Sequence, residues 1–318
     1  MKSRPFKQVD VFTDAPYLGN PLAVVLDGTD LSTEDMQHFA KWTNLSETTF
    51  LLPPSEEAAA QGADYQVRIF TTAQEMPFAG HPTLGSCHAW LESGGVPKHP
   101  EFIVQQCQVG LVRIHHSTTS IAFAAPALVR SQATPEAVAR LAAALGLKGT
   151  QVLAAHHLTN GPHHFGLLLD HADAVQQVHP DPAALRAWMV DEGVSGVGLA
   201  ALGAAPQGNA LIKRANREAR AFGQNTPEVT HTGQETDAQI EVRFFVNDLV
   251  VFEDPVTGSF NASLAQWLIA DGLAPASYTA TQGTCLGRFG QVHISQDDSG
   301  QVWVGGHSVT CIEGSVTL

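Results

Sequence analysis

The sequence predicts an α+β protein made of two similar lobes, each with one buried helix at its centre. A segment in which a strand, a loop and an apolar helix follow one another occurs twice, and short strand patterns surround both copies. Each of the two helices is small or apolar on nearly every face, so we expect other elements to enclose it. Antiparallel strands around one central helix per lobe would make an α+β architecture.

The repeat is visible at aligned positions. The first copy reads Met-Pro-Phe-Ala-Gly-His at 76–81 and the second reads Asp-Pro-Val-Thr-Gly-Ser at 254–259, an offset of 178 residues. Upstream, Val-Arg-Ile-Phe at 67–70 matches Val-Arg-Phe-Phe at 242–245 with an offset of 175, so the second loop is three residues longer. This self-similarity indicates one unit used twice. We therefore expect residues 66–94 and 241–272 to superpose.

In the first half, apolar periodicity and turn residues predict four strands and two helices before a short meander. The strands are expected at 6–12, 19–26, 46–52 and 65–70, the helices at 31–43 and 80–91, and the meander at 102–105, 111–115 and 121–124. Ser32 and Asp35 have the spacing of a capping box at the start of the first helix.

In the second half, Thr134 is expected to cap a helix that ends near Gly146. A second helix is predicted at 181–192, and strands at 156–158, 165–169, 198–202, 240–245, 291–294, 302–305 and 311–316. The segment 204–239 has little periodicity and is predicted to be irregular. We place one lobe at 1–127 and the other at 128–307, with 308–318 returning to the first.

Composition limits the function classes. The chain has 318 residues, 44% of them hydrophobic, and a formal net charge of −14 without any basic run, which argues against nucleic acid and anionic membranes as partners. The N-terminus lacks the apolar run of a signal peptide, and no stretch is long enough to span a bilayer. The four cysteines show no CxxC spacing, so neither a zinc site nor a redox motif is indicated. We expect a cytoplasmic protein with reduced thiols.

The starts of the two central helices are candidate binding elements. The first turn of a helix leaves backbone N–H groups unpaired, and its dipole favours negative charge. Gly80 and Gly258 would allow a ligand to approach this backbone closely. Two such helix starts facing one cleft would form a double anion site. The alternative is two plain core helices with glycine turns, and the recurrence of glycine followed by a polar residue favours the anion site.

Five motifs make the chain resemble a known family over essentially its whole length. They are Gly-Asn-Pro at 19–21, Asn-Leu-Ser-Glu-Thr-Thr-Phe at 44–50, Gly-His-Pro-Thr-Leu-Gly at 80–85, Glu-Asp-Pro-Val-Thr-Gly-Ser at 253–259, and Gln-Gly with Gly-Arg at 282–288. In order and spacing they resemble the PhzF-like isomerases of phenazine biosynthesis. The resemblance implies a diaminopimelate-epimerase-like fold, with two pseudo-symmetric lobes, each an antiparallel β-barrel wrapped around its helix. It also implies an active site between the lobes, no cofactor or metal, and a homodimer.

The resemblance implies that Glu47 is the proton-transfer base. A base that removes a proton from carbon needs a positioned carboxylate with restricted solvent. Glu47 precedes an apolar run, where partial burial would raise its pKa. The alternative is a capping box between Asn44 and Glu47. That box needs a following helix, which the β-branched run and Pro53-Pro54 oppose.

The resemblance implies that His81 and Asp254 bind or polarise the substrate and assist proton movement. Without it, His81 could simply bond the backbone at a helix start, and Asp254 could close a turn. Asn20, Gly80, Gly258 and Ser259 are the implied substrate-binding residues, with Ser259 offering a hydroxyl and the glycines offering N–H groups to a substrate carboxylate.

The leading hypothesis is a cofactor-independent isomerase that moves a proton on a small carboxylate-bearing metabolite. In relatives that epimerise diaminopimelate or racemise proline, a cysteine begins each central helix, and this chain has none there. One alternative is an epimerase of an amino-acid derivative that uses Glu47 with His81 or Asp254. The other is a binding or interaction protein with the same fold and no turnover.

Overall fold

The computed structural model describes residues 1–116, 120–203, 238–247 and 251–318. The helices in these ranges are α1 (Thr33–Thr43), α2 (Glu56–Ala60), α3 (Gly80–Glu92), α4 (Pro135–Leu145), α5 (Ala172–Gln176), α6 (Pro182–Glu192) and α7 (Gly258–Ala270). The strands of the first half are β1 (Ser3–Val11), β2 (Asn20–Val25), β3 (Glu47–Leu52), β4 (Tyr65–Phe70), β5 (Glu75–Met76), β6 (Phe102–Cys107), β7 (Gly110–His116) and β8 (Ile121–Ala124). The others are β9 (Val129–Gln132), β10 (Val152–Thr159), β11 (His163–Leu169), β12 (Gly196–Leu202), β13 (Ala238–Val246), β14 (Ser277–Gln282), β15 (Gly290–Gln296), β16 (Val302–Gly306) and β17 (Ser308–Thr317).

The two ends of α1 determine how the chain enters β3. Ser32 and Asp35 form the predicted capping box. At the other end Asn44 is left-handed, with φ 58°, and its N–H bonds back to the Ala40 carbonyl as the C-cap. Asn44 therefore ends a helix and does not begin one. The capping-box alternative for Glu47 is wrong, because Glu47 is the first residue of β3.

The sequence predicts antiparallel strands, but some neighbouring strands in the structure are parallel. Within the described ranges four pairs are parallel: β2 with β3, β4 with β6, β11 with β12, and β13 with β14. In each case a helix lies between the two strands in the chain. Parallel neighbours need such a crossover connection, whereas antiparallel neighbours can be joined by a tight turn. A helix predicted between two neighbouring strands therefore also indicates that these strands can be parallel.

Both central helices are buried, which confirms that prediction. In α3, residues 80–87 and Ala89 are buried, and in α7 only Gln266, Ile269 and Ala270 are not fully enclosed. One continuous apolar cluster includes residues from both helices. A second cluster lies beneath α4, α5 and α6. The buried faces explain why neither central helix carries Lys or Arg.

An arginine–glutamate pair occurs once in each copy of the repeat. Arg68 donates through Nε and Nη2 to the two carboxylate oxygens of Glu75, at 2.8 and 2.6 Å. Arg243 donates in the same way to Glu253, at 2.9 and 2.8 Å. The two guanidinium groups also lie over equivalent rings, Phe70 and Phe245. The bidentate pairs hold the loop that leads into each helix.

A buried glutamine anchors the first turns of each central helix. Gln105 donates from Nε2 to the Thr83 hydroxyl at 3.1 Å. In the second copy, Asn261 donates from Nδ2 to Gln282 Oε1 at 2.9 Å. Thr83 and Asn261 are 178 residues apart, the same offset as the helix-start motifs. Gln105 and Asn261 lie outside the quoted motifs, so the repeat extends to side chains that the motifs did not include.

The two halves share strand pairings. β17 lies antiparallel to β1, so the last strand completes the sheet of the first half, and β16 pairs with β8.

The short elements α2, α5, β5, β9 and β14 were not predicted. The prediction for 204–239 falls almost entirely outside the described residues. No helix in the described ranges is long and apolar enough to cross a membrane.

Candidate active site

The starts of α3 and α7 touch through their glycines. A Cβ placed on Gly258 would lie 3.2 Å from the Gly80 Cα, and a Cβ on Gly80 would lie 3.0 Å from the Gly258 Cα. The glycines are thus required by the contact between the two helices, a reason that the sequence analysis did not give. Neither helix has a side-chain cap at its N-terminus. Two positive dipole ends therefore lie side by side, which favours an anion nearby.

Asn20 links the two halves beside this contact. Its amide nitrogen donates to Asp254 Oδ1 at 2.9 Å and to the Val256 carbonyl at 3.0 Å. The same nitrogen lies 3.4 Å from Nδ1 of His81. Asn20 is fully buried at the first position of β2. One side chain from the first half thereby fixes the loop that leads into α7.

Glu47 and His81 form the second part of the site. Oε2 of Glu47 lies 3.4 Å from Nδ1 of His81. Glu47 begins β3, and Thr49, two residues on, accepts a hydrogen bond from Ser86 of α3 at 2.9 Å. Because side chains two apart on a strand share a face, Glu47 is directed to the same helix, at its start.

The contacts of His81 favour the tautomer that carries its proton on Nδ1. Burial lowers the pKa of His81 to about 3, so the ring is neutral at physiological pH. Both amide hydrogens of Asn20 go to oxygen atoms, and the proton on Nδ1 therefore points to the Glu47 carboxylate. Nε2 then carries the lone pair, and this buried atom has no hydrogen-bond partner in the described structure. It can accept a hydrogen bond from a substrate.

Asp254 is a buried carboxyl held by three donors. The Thr257 hydroxyl donates to Oδ2 at 2.6 Å, while Asn20 and the Ser46 hydroxyl donate to Oδ1 at 2.9 and 3.5 Å. Burial raises the pKa of Asp254 to about 6, although these hydrogen bonds oppose the rise. A group with this pKa can hold or release a proton near neutral pH.

The predicted site residues fall into two groups. Asn20, Glu47, His81 and Asp254 form one contact network, and Gly80, Gly258 and Ser259 belong to the adjoining helix starts.

Sequence reasoning missed Ser46, Thr257 and Gln282, which hold Asp254 or its loop. All three residues were within quoted motifs, but a hydroxyl or an amide by itself does not indicate its partner. Among the described residues, no group of three side chains is suited to a metal ion.

Two surface grooves lie elsewhere on the molecule. One, of about 440 Å³, lies beside α4 and includes Ala142 and Leu153 in its lining, and the other, of about 520 Å³, lies beside α1 and includes Phe39 and Trp42. Neither brings together the buried polar groups found at the helix starts. A binding site normally has a few convergent polar groups, and the site around Glu47 meets that criterion better.

Comparison with known proteins agrees with the motifs. The family model for phenazine biosynthesis-like proteins, PhzC-PhzF, matches residues 9–314. Antisense-enhancing sequence 1 of Schizosaccharomyces pombe is 33% identical over 329 residues, covering 99% of each chain. The trans-2,3-dihydro-3-hydroxyanthranilate isomerase of Pseudomonas aeruginosa is 36% identical over 180 residues, which cover 56% of this chain and 61% of that protein.

The solved structures show the same fold. The crystal structure of a phenazine biosynthesis protein of the PhzF family from Bacillus anthracis matches with a TM-score of 0.78, covering 100% of both chains at 20% identity. The α+β class and the resemblance to PhzF-like proteins are confirmed, and the names of curated relatives agree with an isomerase. The chain belongs to the phenazine biosynthesis-like protein family, PhzC-PhzF.

Proposed function

We propose that this protein is a cofactor-independent isomerase that moves a proton on a small carboxylate-bearing metabolite, with Glu47 as acid and base. The observation that carries the proposal is the 3.4 Å contact between Glu47 and a buried neutral His81 whose other ring nitrogen has no partner in the described structure. A carboxylate beside a neutral imidazole can take a proton from carbon and hold it close to the substrate.

The anion site lies next to this pair. The uncapped starts of α3 and α7 meet at Gly80 and Gly258 and can bind the substrate carboxylate through their N–H groups. Each helix start contributes roughly 0.3–1 kcal/mol when exposed and about 2 kcal/mol when partly buried. The same N–H groups would stabilise negative charge that develops when a proton leaves carbon. The strongly acidic chain thus gains a local positive site without Lys or Arg.

Proton transfer then needs only the residues already described. Glu47 takes a proton from one carbon of the substrate, the electron pair moves into the adjacent unsaturated system, and Glu47 returns the proton to another carbon. No atom is gained or lost. His81 orients Glu47 through Nδ1 and accepts a hydrogen bond from the substrate at Nε2. Asp254, with its pKa near 6, can exchange a proton with a polar substituent during the reaction.

The repeat does not supply two equivalent bases. A two-base epimerase needs an acid–base group on each face of one carbon. At the 178-residue offset, Ser259 stands where the first copy has His81, and Met76 stands where the second has Asp254. Neither Ser259 nor Met76 exchanges protons near neutral pH. The two halves therefore contribute different acid–base groups, Glu47 with His81 from the first and Asp254 from the second, and not a matched pair.

We also propose how the two halves of the chain are arranged. Two pseudo-symmetric lobes, each a β-barrel around α3 or α7, would place the site in a cleft between them, and the paired contacts of Arg68 and Arg243 support this symmetry. The substrate named for the Pseudomonas aeruginosa relative is a small carboxylate and is one candidate. We further propose the lobe limits given above, a homodimer and a cytoplasmic location.

Solvent deuterium exchange tests the function. Candidate carboxylates, including trans-2,3-dihydro-3-hydroxyanthranilate, are incubated in D2O with the wild type, with Glu47→Gln and with Glu56→Gln, a change on the surface helix α2. Wild type and Glu56→Gln should incorporate deuterium and form product, whereas Glu47→Gln should lose at least about 100-fold in rate. Equal rates for Glu47→Gln and wild type would refute the role of Glu47. Binding without exchange by wild type would favour the non-catalytic alternative.

A further inference from the structure

Two more buried polar side chains lie beside the first turn of α7. Asn160 and His164 are 4% and 3% exposed. Asn160 donates from Nδ2 to the Ser259 carbonyl at 2.9 Å, and the His164 ring lies 6.1 Å from the Phe260 ring and 4.8 Å from that of Phe244. Both residues thus adjoin the helix start that carries Ser259.

Each of these side chains has a buried polar atom without a partner. Oδ1 of Asn160 and Nδ1 of His164 accept or donate no hydrogen bond within the described part of the chain. Buried polar atoms are nearly always hydrogen-bonded, so such an atom calls for a water or a ligand. Near the helix starts, Oδ1 of Asn20 and Nε2 of His81 are in the same condition. The unpartnered atoms therefore extend from the first half of the site into the second.

The strand register shows what the second half offers. The parallel pairs β2–β3 and β11–β12 are equivalent, because β3 and β12 each lie antiparallel to the strand that opens a repeat copy, β4 or β13. Glu47 lies opposite Leu22 in the first pair, and Gly196 lies opposite His164 in the second. His164 thus takes the place of an apolar residue, and Gly196 takes the place of the carboxylate. An amide and an imidazole without a carboxylate are suited to recognition, not to removal of a proton from carbon. Burial also lowers the pKa of His164 to about 3, so its ring is neutral.

We propose that Asn160 and His164 form a recognition subsite for a hydroxyl or amino substituent of the substrate. This inference rests on the proposed function, because it assumes that the substrate carboxylate occupies the adjoining helix starts. Oδ1 of Asn160 can only accept a hydrogen bond, so the substituent must be a donor. The neutral ring of His164 supplies one N–H and one lone pair, which suits a group that both donates and accepts.

His164→Leu separates recognition from a structural role. Leucine is the residue at the matching position of the first half, Leu22. Replacing a buried, unpartnered imidazole with an apolar side chain is expected to keep or raise Tm. A histidine that held the fold through hidden bonds would instead lower Tm on replacement. Asn160→Ala is the second variant, and His163→Gln, a partly exposed neighbour on the opposite face of β11, is the control.

The probes are benzoate and its hydroxy and amino derivatives at each ring position, measured by calorimetry. For wild type and His163→Gln, the Kd of at least one derivative should be about fivefold lower than that of benzoate, or lower still, as expected for one added hydrogen bond. His164→Leu and Asn160→Ala should lose this preference and keep the affinity for benzoate itself.

Two outcomes would overturn the inference, and they can be told apart. If wild type binds benzoate but prefers no derivative, or if His164→Leu keeps the preference, the subsite is wrong while the anion site of the proposed function stands. If wild type binds no probe at all, the anion site on which both proposals rest is wrong.

Discussion

Replacing Asp254 with Asn should make the protein more stable at neutral pH while removing its activity. Burial raises the pKa of Asp254 from its ordinary value of 3.8 to about 6. The carboxylate is therefore less favourable in the folded state than in the unfolded chain. Since one pKa unit corresponds to about 1.4 kcal/mol, the difference amounts to about 3 kcal/mol. An amide has the same shape and avoids this penalty.

The pH dependence has a definite sign. Below pH 3.8 the carboxyl is protonated in both states, and its ionisation has no effect on the free energy of unfolding. As the pH rises toward 6, the unfolded chain ionises first, and the native state loses stability relative to it. Above that pH the full penalty is present. The advantage of Asp254→Asn should therefore be small near pH 4 and largest above pH 7.

Urea unfolding at pH 4.5 and pH 7.5 measures this directly. The variant should gain about 2 kcal/mol over wild type between the two pH values, because about 1 kcal/mol of the penalty is already present at pH 4.5. Asp298→Asn, at an exposed position, changes the net charge equally and should show no such gain. The deuterium-exchange rate of Asp254→Asn should be lower than that of wild type. A stability difference that is the same at both pH values, or a variant less stable than wild type at pH 7.5, would refute the reasoning.

Two further changes test the framework of the site. Gly258→Ala should lower the free energy of unfolding by about 1–3 kcal/mol, because the new Cβ would lie 3.2 Å from the Gly80 backbone; Gly149→Ala, which meets no atom within 4 Å, is the control, and equal urea midpoints would contradict the contact. Arg243→Met should cost about 3–5 kcal/mol by leaving a buried carboxylate unpaired. Arg68→Met should cost less, since its ion-pair side chains are 21% and 17% exposed and those of the Arg243 pair only 7% and 11%; the opposite order in urea unfolding would count against this account.

The sequence predicted the elements that have strong local signals. The capping box at Ser32 and Asp35, the Thr134 cap of α4 and the apolar faces of α3 and α7 all act within a few residues, and each is present. The repeat with its 178-residue offset also predicted which residues would be equivalent, because two motifs can be aligned from the sequence alone, without knowledge of their contacts.

Other features depend on contacts between distant segments. Parallel pairing of β2 with β3 follows from the path of the crossover, which periodicity does not reveal. The role of Gly80 and Gly258 as a contact between helices could not be distinguished from close approach of a ligand, because both require the same missing side chain. Asn160 and His164 were overlooked because neither an asparagine between two strands nor a histidine within a strand gives a local signal of burial.

The glycine contact between α3 and α7 also limits how the molecule can move. Two backbones that touch without intervening side chains cannot slide toward each other, since atoms already at van der Waals distance resist compression. The contact therefore sets a minimum distance between the two helix starts, so the anion site that they form cannot collapse when no substrate is bound.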